Sequence, residues 1–99
     1  MRESEFESYL LADNKIVSKE KAVRSRISKG KMIEKHFDES LDSIVKDDNK
    51  TYNTLLRIKS EMKDQNGTVS NALRKYYVFA NGKPFPSLSE YQSTKEWNS

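Results

Sequence analysis

Val23, Ile27, Gly30, Ile33 and Phe37 follow one another at intervals of four, three, three and four residues, the spacing of one α-helical face. A strand places alternate residues on one face, so this interval does not suit it. The pattern commits the stretch from about residue 19 to residue 37 to a long helix with one buried side. Apolar residues make up 34% of the 99-residue chain and charged residues 33%. The core must therefore be lean, and the period of the apolar residues, rather than their number, argues for folding over disorder.

The other apolar residues keep the same period. Phe6, Tyr9 and Leu10 predict a short helix over about 4–13, with Ser4-Glu5-Phe6-Glu7 at capping-box spacing and Asp13-Asn14 as its end. Ser18 is placed to cap the long helix. Gly30 on that helix's buried face costs about 1 kcal/mol against Ala, which close approach of a neighbour, or a kink, would explain. After Asp38-Glu39-Ser40, the residues Leu41, Ile44 and Val45 read as a connector tucked against the core.

Asp47, Asp48 or Asn49 can cap a third main helix to about residue 63, with Tyr52, Leu55, Leu56 and Met62 on its apolar side. Asn66-Gly67 is a stop signal. Thr68 or Ser70 then starts a fourth helix through residue 80, with Val69, Ala72, Leu73, Tyr76 and Ala80 on one face. Asn81-Gly82 ends it, and Pro84 and Pro86 prevent its continuation. Ser87 and Glu90 repeat the capping-box spacing, so a short last turn is expected through Tyr91, with fraying beyond Gln92. Two runs, Ile16-Val17 and residues 76–79, are β-friendly, and the second fits helical spacing better. The expected fold is an all-α bundle of four main helices at 4–82, forming one domain, with a short, partly flexible C-terminal extension at 83–99.

Composition narrows the chemistry. The chain has no Cys, so disulfides and thiolate metal sites are unavailable. His36 is the single histidine and falls between the polar and apolar sides of its helix, as an ordinary boundary residue does. Glycines stand alone at 30, 67 and 82, which gives no phosphate-cradling loop. The cluster Asp38, Glu39, Asp42, Asp47, Asp48 lacks the spacing and central Gly of a calcium loop, and helix capping and solvation account for it. No cofactor is expected. No apolar run approaches a membrane span, and the acidic N-terminal stretch is unlike a signal peptide. The expectation is a soluble, cytoplasmic protein, monomeric by default.

A net charge of +3 conceals segregation: residues 1–14 carry −3, 15–37 carry +6, 38–48 carry −4 and 49–80 carry +4. Within the most basic segment Lys21, Arg24, Ser28, Lys31 and Lys35 gather within roughly 80° of helix circumference, opposite the apolar face. Few carboxylates interrupt them, since Glu20 lies at the stripe's edge and Glu34 projects toward the apolar side. A hydroxyl at Ser28 can donate to a phosphate between flanking cations. The stripe can serve nucleic acid, an acidic protein partner or plain solvation. Tyr76, Tyr77 and Phe79 can stack on bases, but their spacing places Tyr76 in the core and Tyr77 at its margin. Trp97 is either a loosely packed anchor or exposed.

The order of these elements resembles the N-terminal, SAM-like DNA-binding (core-binding) domain of phage integrases and other tyrosine recombinases. Glu5-Phe6-Glu7-Ser8-Tyr9-Leu10 is similar to that domain's opening helix, and Val17-Ser18-Lys19-Glu20-Lys21-Ala22-Val23 with Arg26-Ile27 resembles its second. Leu41-Asp42-Ser43-Ile44 resembles the connector before helix three, and residues 68–80 resemble the last helix, with its small-Leu-Arg-x-aromatic core. The resemblance covers about four-fifths of the chain. It implies a clamp half that grips double-stranded DNA while a separate domain does the chemistry, so no catalytic residue is assigned. By position it implies DNA contacts at Lys21, Arg24, Ser28, Lys31, Ser70 and Arg74, and the stripe adds Lys35. The acidic first helix and connector depart from a uniformly basic clamp. The rival expectation is a small phage or mobile-element protein that binds and inhibits a host nuclease or defence complex by protein–protein contact.

Overall fold

A computed structural model of the chain describes residues 1–12, 19–64 and 66–97, the side chains of 19 and 94–97 excepted. The proposed Ser18 cap, the Asp13-Asn14 stop, the Ile16-Val17 run and the Trp97 side chain lie outside the described residues. All regular structure among the described residues is helical: α1 (Glu3–Leu11), α2 (Lys19–Phe37), α3 (Leu41–Val45), α4 (Asp48–Glu61), α5 (Thr68–Asn81) and α6 (Leu88–Trp97). The fold is the all-α bundle that the apolar period required.

The long helix runs unbroken through Gly30. A Cβ there would lie 3.1 Å from Leu41 Cδ1 and 3.3 Å from Met1 Sδ, so the glycine admits two neighbours rather than a kink. Around it Phe6, Leu10, Ile33, Leu41, Ile44, Ile58, Leu73 and Tyr76 are fully buried. Each such side chain stabilises by about 1.5–3 kcal/mol relative to exposure. The aromatic centre is built from Phe6, whose ring meets Tyr76 edge-on at 4.9 Å and Phe79 at 5.5 Å. Tyr77 is as buried as Tyr76, and not marginal, because its hydroxyl donates to Asp48 Oδ1 at 2.7 Å and its ring meets Phe85 edge-on. Burial, then that hydrogen bond, pushes the Tyr77 phenol up to about 12.

Helix ends follow the sequence at some places and depart from it at others. Asp47 caps α4 through the Lys50 N–H, and Ser40 caps α3 through the Ser43 N–H. At the start of α1 the expected capping box is absent: Ser4 lies inside the helix, and Arg2 is the N-cap without a side-chain bond. The Arg2 N–H instead donates to the Tyr76 hydroxyl at 2.9 Å. The connector forms a short helix, α3. The Ser87 hydroxyl accepts the Glu90 N–H as expected, but α6 continues through Trp97 rather than ending at Tyr91. Its start is anchored by tertiary packing. Phe85 is buried in the core, Tyr91 lies against Tyr52 and Phe85, and the Tyr91 hydroxyl donates to Asn49.

A polar knot holds the first helix on the bundle. Asp42 Oδ1 accepts from the Tyr76 hydroxyl at 2.6 Å and from Arg2 Nε at 3.0 Å. Glu34 Oε2 accepts from the N-terminal ammonium at 2.7 Å and from the Leu41 N–H at 2.9 Å. Burial pushes the Asp42 carboxyl up, but Tyr76, Arg2 and the ammonium outweigh it and hold the group below its ordinary value. A depressed folded-state value means that this stabilisation is present above the ordinary value of 3.8 and is lost as pH falls through the folded one. Tyr76→Phe removes a donor from Asp42 and orphans the Arg2 N–H. Urea titration at neutral pH should show a loss of about 1–3 kcal/mol, and the variant's acid unfolding should begin at higher pH than the wild type's.

Candidate nucleic-acid interface

On α2 the five stripe residues Lys21, Arg24, Ser28, Lys31 and Lys35 are all exposed. The opposite face carries Val23, Gly30 and Ile33 into the core, with Ile27 and Phe37 half-buried. From residue 21 to residue 35 the row extends about 21 Å at 1.5 Å per residue. Lys21, Arg24 and Lys35 make no ion pair or hydrogen bond with any described residue. Lys31 Nζ lies 2.6 Å from Glu3 Oε1, with both side chains about half exposed. An exposed pair of this kind holds its partners weakly, so a phosphate can displace Glu3.

Glu34, the one carboxylate in the middle of the segment, is turned away into the polar knot. The other, Glu20, is exposed at the row's edge. Arg26, off the stripe, is half-buried with its Nε unpartnered. In α2's last turn His36 Nε2 sits 3.0 Å from Glu61 Oε1. The Arg57 guanidinium bonds the same carboxylate and lies over the Phe37 ring. His36 is thus the expected boundary histidine, tied into a surface ion cluster.

Ser70 and Arg74 are engaged elsewhere. The Ser70 N–H and hydroxyl both donate to Asp64 Oδ2, at 2.9 and 2.8 Å, and the Val69 N–H donates to Asp64 Oδ1 at 3.1 Å. Asp64 thereby caps α5 from outside the helix, which Gly67 permits by turning the chain at φ 72. Burial pushes the Asp64 carboxyl up, but these donors outweigh it and hold it below its ordinary value. Arg74 donates from Nη1 to the carbonyls of Phe85 and Pro86, at 3.2 Å each, with its guanidinium over the Phe85 ring. Ser70 is held by the loop before α5 and Arg74 by the C-terminal segment, and no described contact joins them to the stripe.

The tyrosines that could have stacked on bases are interior, and Phe79 is half-buried against Phe6, Tyr9 and the Arg2 guanidinium. Four of the five carboxylates in the acidic cluster are also internally committed. Glu39 bonds Lys50 and Ser43, Asp42 belongs to the knot, Asp47 is a helix cap, and Asp48 accepts from Tyr77.

A neighbour of the stripe escaped the sequence reading. Glu3 lies against Lys31, and farther along a groove of about 400 Å³ is lined by Glu7, Leu11, Glu20, Val23, Arg24 and Ile27. These positions mean that α1 runs antiparallel along the edge of α2, with Glu3 and Glu7 one helical turn apart facing the cations. The −3 charge of the first segment was the available signal, but its register on α2 is tertiary information.

A difference in stability separates the two groups of candidate residues. Arg74→Ala and Ser70→Ala should each cost about 1–2 kcal/mol in urea denaturation, through lost bonds to the C-terminal carbonyls and to the α5 cap. Lys21→Ala and Lys35→Ala should stay within about 0.5 kcal/mol of wild type. Comparison of the chain with protein-family models, curated proteins and solved structures found no match.

Proposed function

We propose that this chain is a non-enzymatic DNA-binding module that grips the phosphate backbone of the duplex through Lys21, Arg24, Ser28, Lys31 and Lys35. The observation that carries the reading is the exposed row itself, with four cations on one straight helix and three of them without a partner among the described residues. A solvated face has no need to keep its carboxylates out of such a row, yet half-buried Glu34 turns away to the N-terminal ammonium and the Leu41 N–H. The spacing suits phosphates rather than base edges, because Lys dominates and no Asn, Gln or paired Arg is placed for bidentate readout. The recombinase-like order of helices supports a clamp-half role, in which another polypeptide or domain supplies chemistry.

Ser70 and Arg74 leave the contact set, since their polar atoms serve the α5 cap and the C-terminal segment. The rival in which the 38–48 acids imitate DNA has less support, because most of those carboxylates are bonded within the fold.

Charge reversal tests the proposal. The variant with Lys21, Arg24, Lys31 and Lys35 all changed to Glu should lose at least about 100-fold in affinity for mixed-sequence duplex DNA. A control with Lys46, Lys59, Lys63 and Lys83 changed to Glu alters net charge equally away from the stripe, and should lose less than about fivefold. Circular dichroism verifies the fold of both. Equal losses in the two variants, or no binding by wild type, would overturn the proposal.

A further inference from the structure

The groove between α1 and α2 is not needed for gripping phosphates, yet it opens beside Arg24, a member of the stripe. Its wall is aliphatic: Val23 is 5% exposed, Ile27 is half-buried, and Leu11 is 43% exposed, one of the few large apolar side chains left open to solvent. Two carboxylates, Glu7 and Glu20, stand at its rim, and neither has a hydrogen bond or ion pair with a described residue. At about 400 Å³ the space exceeds what one planar heterocycle fills and falls within the usual range of ligand pockets.

We infer that this groove receives an unpaired nucleobase bearing N–H donors, guanine above all, while the stripe holds the phosphates beside it. The inference deepens the phosphate-gripping reading and depends on it. A ligand here must satisfy opposite demands within about two helical turns of α2. It must offer an anion to Arg24 and to the stripe residues Lys21 and Ser28 flanking it on α2, an apolar plane to Leu11, Val23 and Ile27, and hydrogen-bond donors to Glu7 and Glu20. A nucleotide has all three. An acidic peptide donates through separate backbone N–H groups and offers no paired N–H edge on an apolar plane, and a cationic one is repelled by the row of Lys and Arg.

Guanine presents N1–H and N2–H side by side on its Watson–Crick edge, which one carboxylate accepts in bidentate fashion, whereas thymine offers a single N3–H. In a duplex that edge is already paired, so the groove acts on single-stranded or extruded bases. The Arg24 guanidinium at the mouth can lie flat on the ring or bond the adjoining phosphate. Glu7 and Glu20 are then specificity-determining residues, and their negative charge weakens binding to any strand whose base cannot use them.

The test compares an oligothymidylate of about eleven nucleotides with the same strand carrying one central guanine, and with that strand annealed to its complement. The single-stranded guanine oligonucleotide should bind about tenfold tighter than oligothymidylate. Glu7→Gln/Glu20→Gln should erase that preference while binding oligothymidylate at least as well as wild type. Methyl resonances of Leu11, Val23 and Ile27 should shift with the guanine strand and stay in place with the annealed duplex. Equal affinity of wild type for the two single strands, or a preference that survives in the Gln variant, would overturn the inference and leave phosphate gripping intact. Absence of binding to every strand and to the duplex would overturn both. A Lys-Leu-Lys peptide that shifts these methyls when no oligonucleotide does would assign the groove to a protein partner and sink the base site.

Discussion

The Asp42 carboxylate is the contact on which the geometry of the surface depends. It joins the Tyr76 hydroxyl of α5 to the Arg2 guanidinium at the head of α1, and the ammonium of Met1 lies 3.6 Å from its second oxygen. Groups half-removed from water must be paired or they destabilise the fold, and here each has partners only when α1 occupies one position. Met1 fits because Gly30 leaves room for it, and Glu34 completes the arrangement by turning inward to the same ammonium. Glu3 is thereby set beside Lys31, and Glu7 and Leu11 beside the groove. The electrostatic border of the cation row is a consequence of a polar knot at the head of α1.

The bundle was legible from the sequence because its signals are local. Apolar residues three and four apart marked α2, α4 and α5, and Asp47, Ser87 and Gly82 marked ends that the structure places within a residue or two. What escaped has a common cause. Asp64 caps α5 across a loop, the Tyr76 hydroxyl satisfies the start of α1 from 74 residues away, and Phe85 between two prolines belongs to no period. Each acts through a tertiary contact that spacing does not encode. The start of α6 is likewise held by a tertiary contact, since Tyr91 finds Tyr52 and Phe85.

The candidate surface divides in the same way. Exposure of the α2 stripe could be read from a helical wheel, since one face buried requires the opposite face open. A wheel gives orientation but not partners, so Ser70 and Arg74 looked equally free until Asp64 and the 85–86 carbonyls were in view. Glu3 and Glu7 were visible as charges, and their role as a border was not. The outcome is a basic track on one helix, edged by acids and interrupted by an apolar groove, rather than a broad cationic face. On the proposed reading, such a track holds the phosphates along one edge of the duplex through these four cations.

That claim is tested most directly by the salt dependence of wild-type affinity for a mixed-sequence duplex. Three cations without partners among the described residues and one held weakly by Glu3 predict a plot of log affinity against log salt with a slope of about −2.7 to −3.6. A slope near zero, with binding retained, would contradict the phosphate track and place the contacts of this helix with an uncharged or protein surface.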